Sequence, residues 1–176
     1  MTKKKLTNKQ KAYIAGGVIV LFFYRKVRQL MESREKAIDL IARTAYGEDN
    51  AGGSLGMQAV INVIQNRKRR GGWFGGTWED VILKPYQFSI WNAKTVPAYA
   101  NDPVFIRYLD VIENVNEKNT SFAEARRLAA LAYDDKLEDL TAGSTHYKLP
   151  TAAAAWAVGK TPAARVGSHE FYNNIE

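Results

Sequence analysis

Between residues 27 and 70 apolar side chains recur at helical spacing in two runs, interrupted only by the seven residues GEDNAGG (47–53). In the first run Val27, Leu30, Met31, Ile38, Ile41, Ala42 and Ala45 fall mostly three, four or seven residues apart, one apolar stripe on a helix. Gly47 is its expected stop. Ser54 stands where it can cap the next helix, on which Met57, Val60, Ile61 and Ile64 repeat the spacing until RKRR and Gly71-Gly72 end it. A short helical turn is expected around Val81–Leu83, and YQFSIWN (86–92) reads as irregular or extended. Asp102 with Pro103 opens a helix through Val104, Phe105, Tyr108, Leu109, Ile112 and Val115. Ser121 and Glu124 make a capping-box pattern before AEARRLAALAY. After Asp134 the chain turns to short pieces rich in Thr, Gly, Tyr, His and Val (STHYKLP, WAVGK, ARVGSHEFY), read as short strands and turns. The pattern predicts one α+β domain, a helical body with a small carboxy-terminal β element and no internal repeat.

The 176 residues suffice for one domain with a proper core, and the absence of cysteine rules out disulfides and thiolate metal sites. The net charge of +7 invites a nucleic-acid reading, so its placement matters. Residues 1–36 hold ten Lys/Arg against two Glu, and residues 37–176 hold 15 Lys/Arg against 16 Asp/Glu. The body is close to neutral, without the basic balance of a nucleic-acid footprint, and no nucleic-acid partner is expected. The stretch RKRRGGWFGGTW, basic and then aromatic, fits single-stranded nucleic acid, and a helix end followed by a solvated loop explains it equally well.

The basic arm encloses AYIAGGVIVLFFY (12–24), an uncharged run between Lys11 and Arg25. As a helix it would be roughly 20 Å long, short of the ~30 Å hydrocarbon core, though flanking lysine and arginine can snorkel. An uncleaved membrane anchor, a cleaved signal, and a core or interfacial helix all fit. The lack of a small-x-small cleavage site favours the anchor. Five lysines before the run favour a cytoplasmic amino terminus with the domain outside, and the basic flank after it weakens that preference. The expected division is an arm and anchor over 1–26 and a domain over 27–176.

No phosphate-binding glycine loop, HExxH or nucleophile elbow is present. His146 and His169 lie far apart and each beside aromatics, the setting of packed histidines more than of a metal pair. Neither metal nor cofactor is expected. What remains is carboxylate chemistry beside aromatic rings. Trp73, Trp78, Trp91, Tyr86, Tyr147, Trp156 and Tyr172 sit in or beside glycine-rich or irregular segments, where rings line a sugar groove or anchor a core. Glu48, at the lip of the glycine turn, is either a solvated loop carboxylate or an acid at the edge of a cleft.

A resemblance bears on that choice. ARTAYGEDN followed by GMQAVINVIQNR is similar to the first signature of the SleB-type cell wall hydrolases, the family of the spore cortex-lytic enzymes. YQFSIWN resembles the family's Gln-Phe-Ser segment, and LTAGSTHYKLP with AAWAVGKTPAARVGSHEFY resembles its closing pattern. The likeness spans about residues 37–172 and leaves out the arm. Asp49 stands where members usually carry a small residue, and GGWFGGTWED replaces a more polar loop.

The resemblance implies a lysozyme-like fold, a mainly helical lobe and a small β lobe around a cleft. It further implies cleavage of peptidoglycan between N-acetylmuramic acid and N-acetylglucosamine, with Glu48 as the catalytic acid. Asp49, adjacent in the chain, is not expected to face Glu48 across a sugar, so lytic transglycosylation is expected, with Asp134, Asp135 and Asp139 as candidate second carboxylates otherwise. Gln87, Ser89, His146 and Tyr147 are candidates for holding N-acetyl groups and ring hydroxyls. Gln58 and Asn66 follow on the next helix, where Asn66 with Arg67 also fits a structural brace. A phage lysin, a virion wall-penetration protein and a bacterial remodelling enzyme all suit this combination, with the domain facing the periplasm or wall. The alternative is an anchored protein that binds glycan or a partner without catalysis.

Overall fold

The structure, a computed structural model, describes residues 8–175, with side chains from residue 26 onward. The chain divides into two compact units, residues 1–36 and 37–176. In the first, Arg28 pairs with Glu32 one helical turn on. The side chains of the apolar run 12–24, expected to anchor the chain, lie outside the described residues. Among the described residues no helix is long and apolar enough to cross a membrane.

Helix α1 spans Asn8–Asp49, and its residues 37–49 contribute Ile38, Ile41, Ala42 and Ala45 to the core of the second unit. The helix does not stop at Gly47. A methyl group at Gly47 would come within 2.7 Å of Ile112 and 3.0 Å of Ile90, so close packing, not chain reversal, calls for glycine there. Reversal falls to Gly53, at φ +65, which opens α2 (Gly53–Arg70). Ser54 does not cap α2. The N-cap is Gly52 without a side-chain bond, and the Ser54 hydroxyl donates to Glu124 at 2.6 Å.

Helix α2 is buried almost all round, from Gly56 to Arg67, because other elements surround it. Four of its amides, Gln58, Asn62, Gln65 and Asn66, form a polar stripe at helical spacing. Gln58 and Asn62 donate to the Glu138 carbonyl, and Asn62 accepts from the Leu140 N–H. Gln65 donates to Ala132 and Asp135, and Asn66 to Asp139, Thr141 and Ser144. The stripe thereby satisfies the irregular segment between the helices and the sheet, where each orphaned buried group would cost ~1–3 kcal/mol.

Helix α3 (Trp78–Ile82) starts at a capping box of Thr77 and Asp80, and α4 (Asn92–Thr95) is one turn. Helix α5 (Pro103–Asn114) is capped by Asp102, as expected. Helix α6 (Thr120–Tyr133) is capped by Asn119 in place of the Ser121–Glu124 box, because Glu124 is engaged by Arg127 and Ser54. Strands β1 (His146–Lys148), β2 (Ala164–Val166) and β3 (His169–Tyr172) form an antiparallel sheet with β3 in the middle. The WAVGK piece adds no strand, since Ala155–Ala157 is a 3₁₀ turn. Phe171 of β3 packs on Ala59 and Val63 of α2, and Tyr147 pairs with Phe171 across the strands, its ring stacked at 5.8 Å. That packing carries Tyr147 toward the end of α1.

Candidate active site

Glu48 lies in the last turn of α1, half-buried, with Tyr147 on one side and Ser89 on the other. The Tyr147 hydroxyl donates to Oε2 at 2.8 Å, and the Ser89 hydroxyl approaches Oε1 at 3.4 Å on the exposed side. The Ile90 N–H also points at the carboxylate, and the charged Arg67 guanidinium stands nearby. Burial raises the Glu48 pKa above its ordinary 4.5, while the bonds from Tyr147, Ile90 and Ser89 and the charge of Arg67 pull it down. Burial dominates, and the net shift is upward. Burial and the Glu48 charge likewise hold the Tyr147 phenol well above 10, and it remains a donor at neutral pH.

The backbone that presents Ser89 and Ile90 is tied to α1. Trp91 is buried, and its indole N–H donates to Thr44 Oγ1 at 2.9 Å, one turn before Glu48. Arg67 is 5% exposed, its Nε donates to the Thr145 carbonyl at 2.7 Å, and its guanidinium lies 5.0 Å from the Phe88 ring and 5.5 Å from Phe74. One cation thus spans α2, β1 and the Phe88 segment beside the acid.

Asp49 is held by partners of its own. Its Oδ1 accepts from the Gly52 N–H at 3.0 Å and its Oδ2 lies 3.1 Å from His169 Nδ1. A methyl group at Gly52 or Gly56 would fall 2.6 or 2.4 Å from Oδ2, so the two glycines make the space this carboxylate occupies. His169 sets its ring edge-on to Tyr147 at 5.3 Å, linking the β2–β3 hairpin to both the clamp and the tyrosine. Among the described residues no cluster of His, Asp and Glu is arranged to hold a metal ion. A carboxyl whose pKa burial has raised, with a phenol and a hydroxyl beside it, is equipped for proton transfer to and from a bound substrate.

Residues 47–172 match the family described as Cell Wall Hydrolase. The chain belongs to the cell wall hydrolase family. It is similar to the catalytic domain of the Bacillus cereus SleB protein, at 26% identity and a TM-score of 0.55, over 78% of this chain and 89% of that one. No curated protein sequence matches it significantly. As a family member it is a peptidoglycan-lytic enzyme, and its α+β architecture is the lysozyme-like fold that the resemblance implies.

In this cell wall hydrolase, Ser89 and Tyr147, expected from the sequence to hold N-acetyl groups and ring hydroxyls, stand against Glu48 itself. Gln87 is half-buried two residues before Ser89, its N–H bonded to the Lys84 carbonyl at 3.2 Å, and its side chain is not among the partners of Glu48. His146 goes elsewhere. Neighbouring residues on a strand face opposite ways, so with Tyr147 toward α2, His146 packs between Phe74 and Trp156 on the other face. There burial, then the charges of Arg67 and Arg70, lower its pKa to about 4. Asn66 and Arg67 are braces. Asp135 is bound to Arg69 at 2.5 Å, and Asp139 accepts from Thr141, Gly143 and Asn66. Trp91 and Tyr172 are core rings, whereas Trp73 and Tyr86 are exposed. The sequence reading passed over the Ile90 N–H, the charge of Arg67, and the His169–Asp49 contact. Only the last had a local signal: an acid where family members usually carry a small residue, followed by glycines three and seven residues on.

Proposed function

We propose that the protein cleaves the glycan strand between N-acetylmuramic acid and N-acetylglucosamine by lytic transglycosylation, with Glu48 as both acid and base. The supporting observation is that burial raises the pKa of Glu48, while its nearest chain neighbour, Asp49, is locked away in the glycine clamp with both oxygens occupied. Conventional glycosidases use two carboxyls flanking the bond, roughly 5–5.5 Å or ~6.5–9.5 Å apart. Asp135 and Asp139 are committed to Arg69 and to the Thr141 turn.

In the proposed reaction Glu48 gives its proton to the glycosidic oxygen as the bond from that oxygen to the muramic C1 breaks. The C6 hydroxyl oxygen of the same muramic residue bonds to C1, and its proton passes to the Glu48 carboxylate, restoring the acid. Tyr147 donates to the carboxylate in its charged phase and stabilises it between the two transfers. The basic arm and the run 12–24 hold the domain at a membrane, facing the wall, in a phage lysin, virion or remodelling context.

The product tests the mechanism. Fragments from purified peptidoglycan should end in 1,6-anhydro-muramic acid, lighter by one water than hydrolytic ends and resistant to borohydride. Reducible muramic ends would make water the nucleophile and overturn the single-acid reading.

A further inference from the structure

Four aromatic rings run outward from the segment that touches Glu48. Tyr86 and Tyr99 meet edge to face with centroids 6.1 Å apart, Tyr99 stacks on Phe105 at 4.4 Å, and Phe105 meets Tyr108 at 6.2 Å. Tyr86 is 67% exposed and Tyr108 38% exposed, so the series is open at both ends. It is continuous with the site, because Tyr86 stands three residues before Ser89 and α5 packs against the Ser89–Trp91 turn.

Two features are unexpected of rings that serve only as packing. The first is the backbone of Tyr86. Residues Lys84–Gln87 form a turn closed by the Gln87 N–H to the Lys84 carbonyl at 3.2 Å, with Pro85 at its second position. Tyr86 occupies the third position at φ +66, where such a turn ordinarily places glycine. A bulky side chain there is strained, and strain of this kind concentrates at functional sites. Here the strained residue spends its ring on solvent. The second feature is α5, whose sole buried side chain is Ile112, while Val104, Ile106, Tyr108 and Val111 are exposed. Of these, Val104, Tyr108 and Val111 share one helix face, and exposed apolar side chains next to an active site are characteristic of a binding face.

We infer that Tyr86 and Tyr108, held at either end of the stacked Tyr99–Phe105 pair, form a glycan-binding track that holds the strand beyond the cleavage point. The inference rests on the proposed glycan-cleaving function and deepens it. Sugar rings offer flat apolar faces to aromatic rings and hydroxyls to the tyrosine tips, a pairing suited to residues with an apolar body and a polar end. Tyr99 and Phe105 turn their faces to each other, and each meets an exposed tyrosine edge to face, so the pair holds the rings of Tyr86 and Tyr108 in place at the surface. Such remote contacts hold a polymeric substrate in place at the reacting bond.

The test uses the full chain carrying Glu48→Gln, which binds without cutting, and sedimentation with purified, uncross-linked glycan strands. Adding Tyr86→Gly or Tyr108→Ala should weaken binding about 3- to 10-fold each. Tyr86→Gly should at the same time leave the thermal midpoint unchanged or raised, since glycine relieves the positive φ. Tyr86→Phe should retain most of the binding. A purely structural ring gives the opposite pair of results, a lowered midpoint with unchanged binding, and that outcome overturns the track. So does loss of self-association or of vesicle binding in the ring variants while glycan binding persists, which would assign the face to a second copy or a lipid surface. Lysis of peptidoglycan by the parent chain is read separately: its absence refutes the catalytic proposal, whereas unchanged glycan binding by the ring variants refutes the track alone.

Discussion

Replacing Gly56 with alanine tests the clamp that sets the end of α1. In an ordinary helix interior the change stabilises by ~1 kcal/mol, because alanine loses less backbone freedom on folding. Gly56 is not in an ordinary place. Its new Cβ would stand 2.4 Å from Asp49 Oδ2, 2.8 Å from Cγ and 3.2 Å from the Asp49 carbonyl oxygen. Asp49 is 6% exposed and has little room to retreat, since Gly52 already lies against it and a methyl group built on Gly167 of the hairpin would stand 3.7 Å from its Oδ2. Moving the carboxylate sacrifices its bonds to the Gly52 N–H and to His169.

Overpacking costs ~1–3 kcal/mol and a poorly partnered buried acceptor ~1–3 kcal/mol. Against the gain of ~1 kcal/mol from alanine, Gly56→Ala should destabilise by about 1–5 kcal/mol. In a chain of this size the midpoint falls by roughly 2–4 °C per kcal/mol. Wall-lytic activity should drop as well, because Glu48 is the next residue along the chain. In the Asp49→Ala/Gly56→Ala double variant the colliding carboxylate is gone, and the costs should fall short of additive by at least ~0.5 kcal/mol. Calorimetry of the four proteins measures the cycle. A raised midpoint for Gly56→Ala, or strict additivity, would refute the clamp.

Three other perturbations probe the acid and the arm. Glu48→Gln keeps the shape and removes the transferable proton, so turbidity clearing of wall suspensions should fall by at least about 10²-fold. Because folding raises the Glu48 pKa, its ionisation opposes the fold as pH rises through the folded value. The glutamine variant should therefore match or exceed the parent midpoint at neutral and alkaline pH, and a lower midpoint there would contradict the burial assignment. Tyr147→Phe deletes the strongest bond that favours the charged carboxylate, so the alkaline limb of the pH–activity profile should move to higher pH, and a shift to lower pH would reverse the assigned role. If apolar burial of residues 12–24 holds the chain at a membrane, high salt should not extract it, and release by salt alone would make the contact electrostatic.

Much of the frame is local chemistry and therefore legible in one dimension. The α2 stripe, the part of the α1 stripe from Ile38 onward, the Asp102–Pro103 start and the Gly71 stop depend on neighbours within a turn or two, whereas Val27, Leu30 and Met31 and most of the α5 stripe are not buried. Where local rules misled, tertiary packing had reassigned the residue. Gly47 looks like a terminator, yet it is a contact point for Ile90 and Ile112. Ser54 and Ser121 look like caps, yet Ser54 serves Glu124 and Asn119 caps α6. Ser and Gly have several uses of similar free energy, and a distant partner decides among them.

By itself the sequence determined the helical body, the late β element, the neutral body behind a basic arm, and Glu48 as an acid at a glycine turn. Folding decided what that acid can do. Tyr147 comes to it across 99 residues and His169 to Asp49 across 120, separations over which no spacing rule operates. Strand alternation, acting only once β1 pairs with β3, sent Tyr147 to the acid and His146 to the opposite face. The proton affinity of Glu48 is likewise a tertiary property. Burial raises it and three hydrogen bonds and one buried cation lower it, and each of these terms exists only when α1, α2, the Ser89 turn and the sheet are packed together.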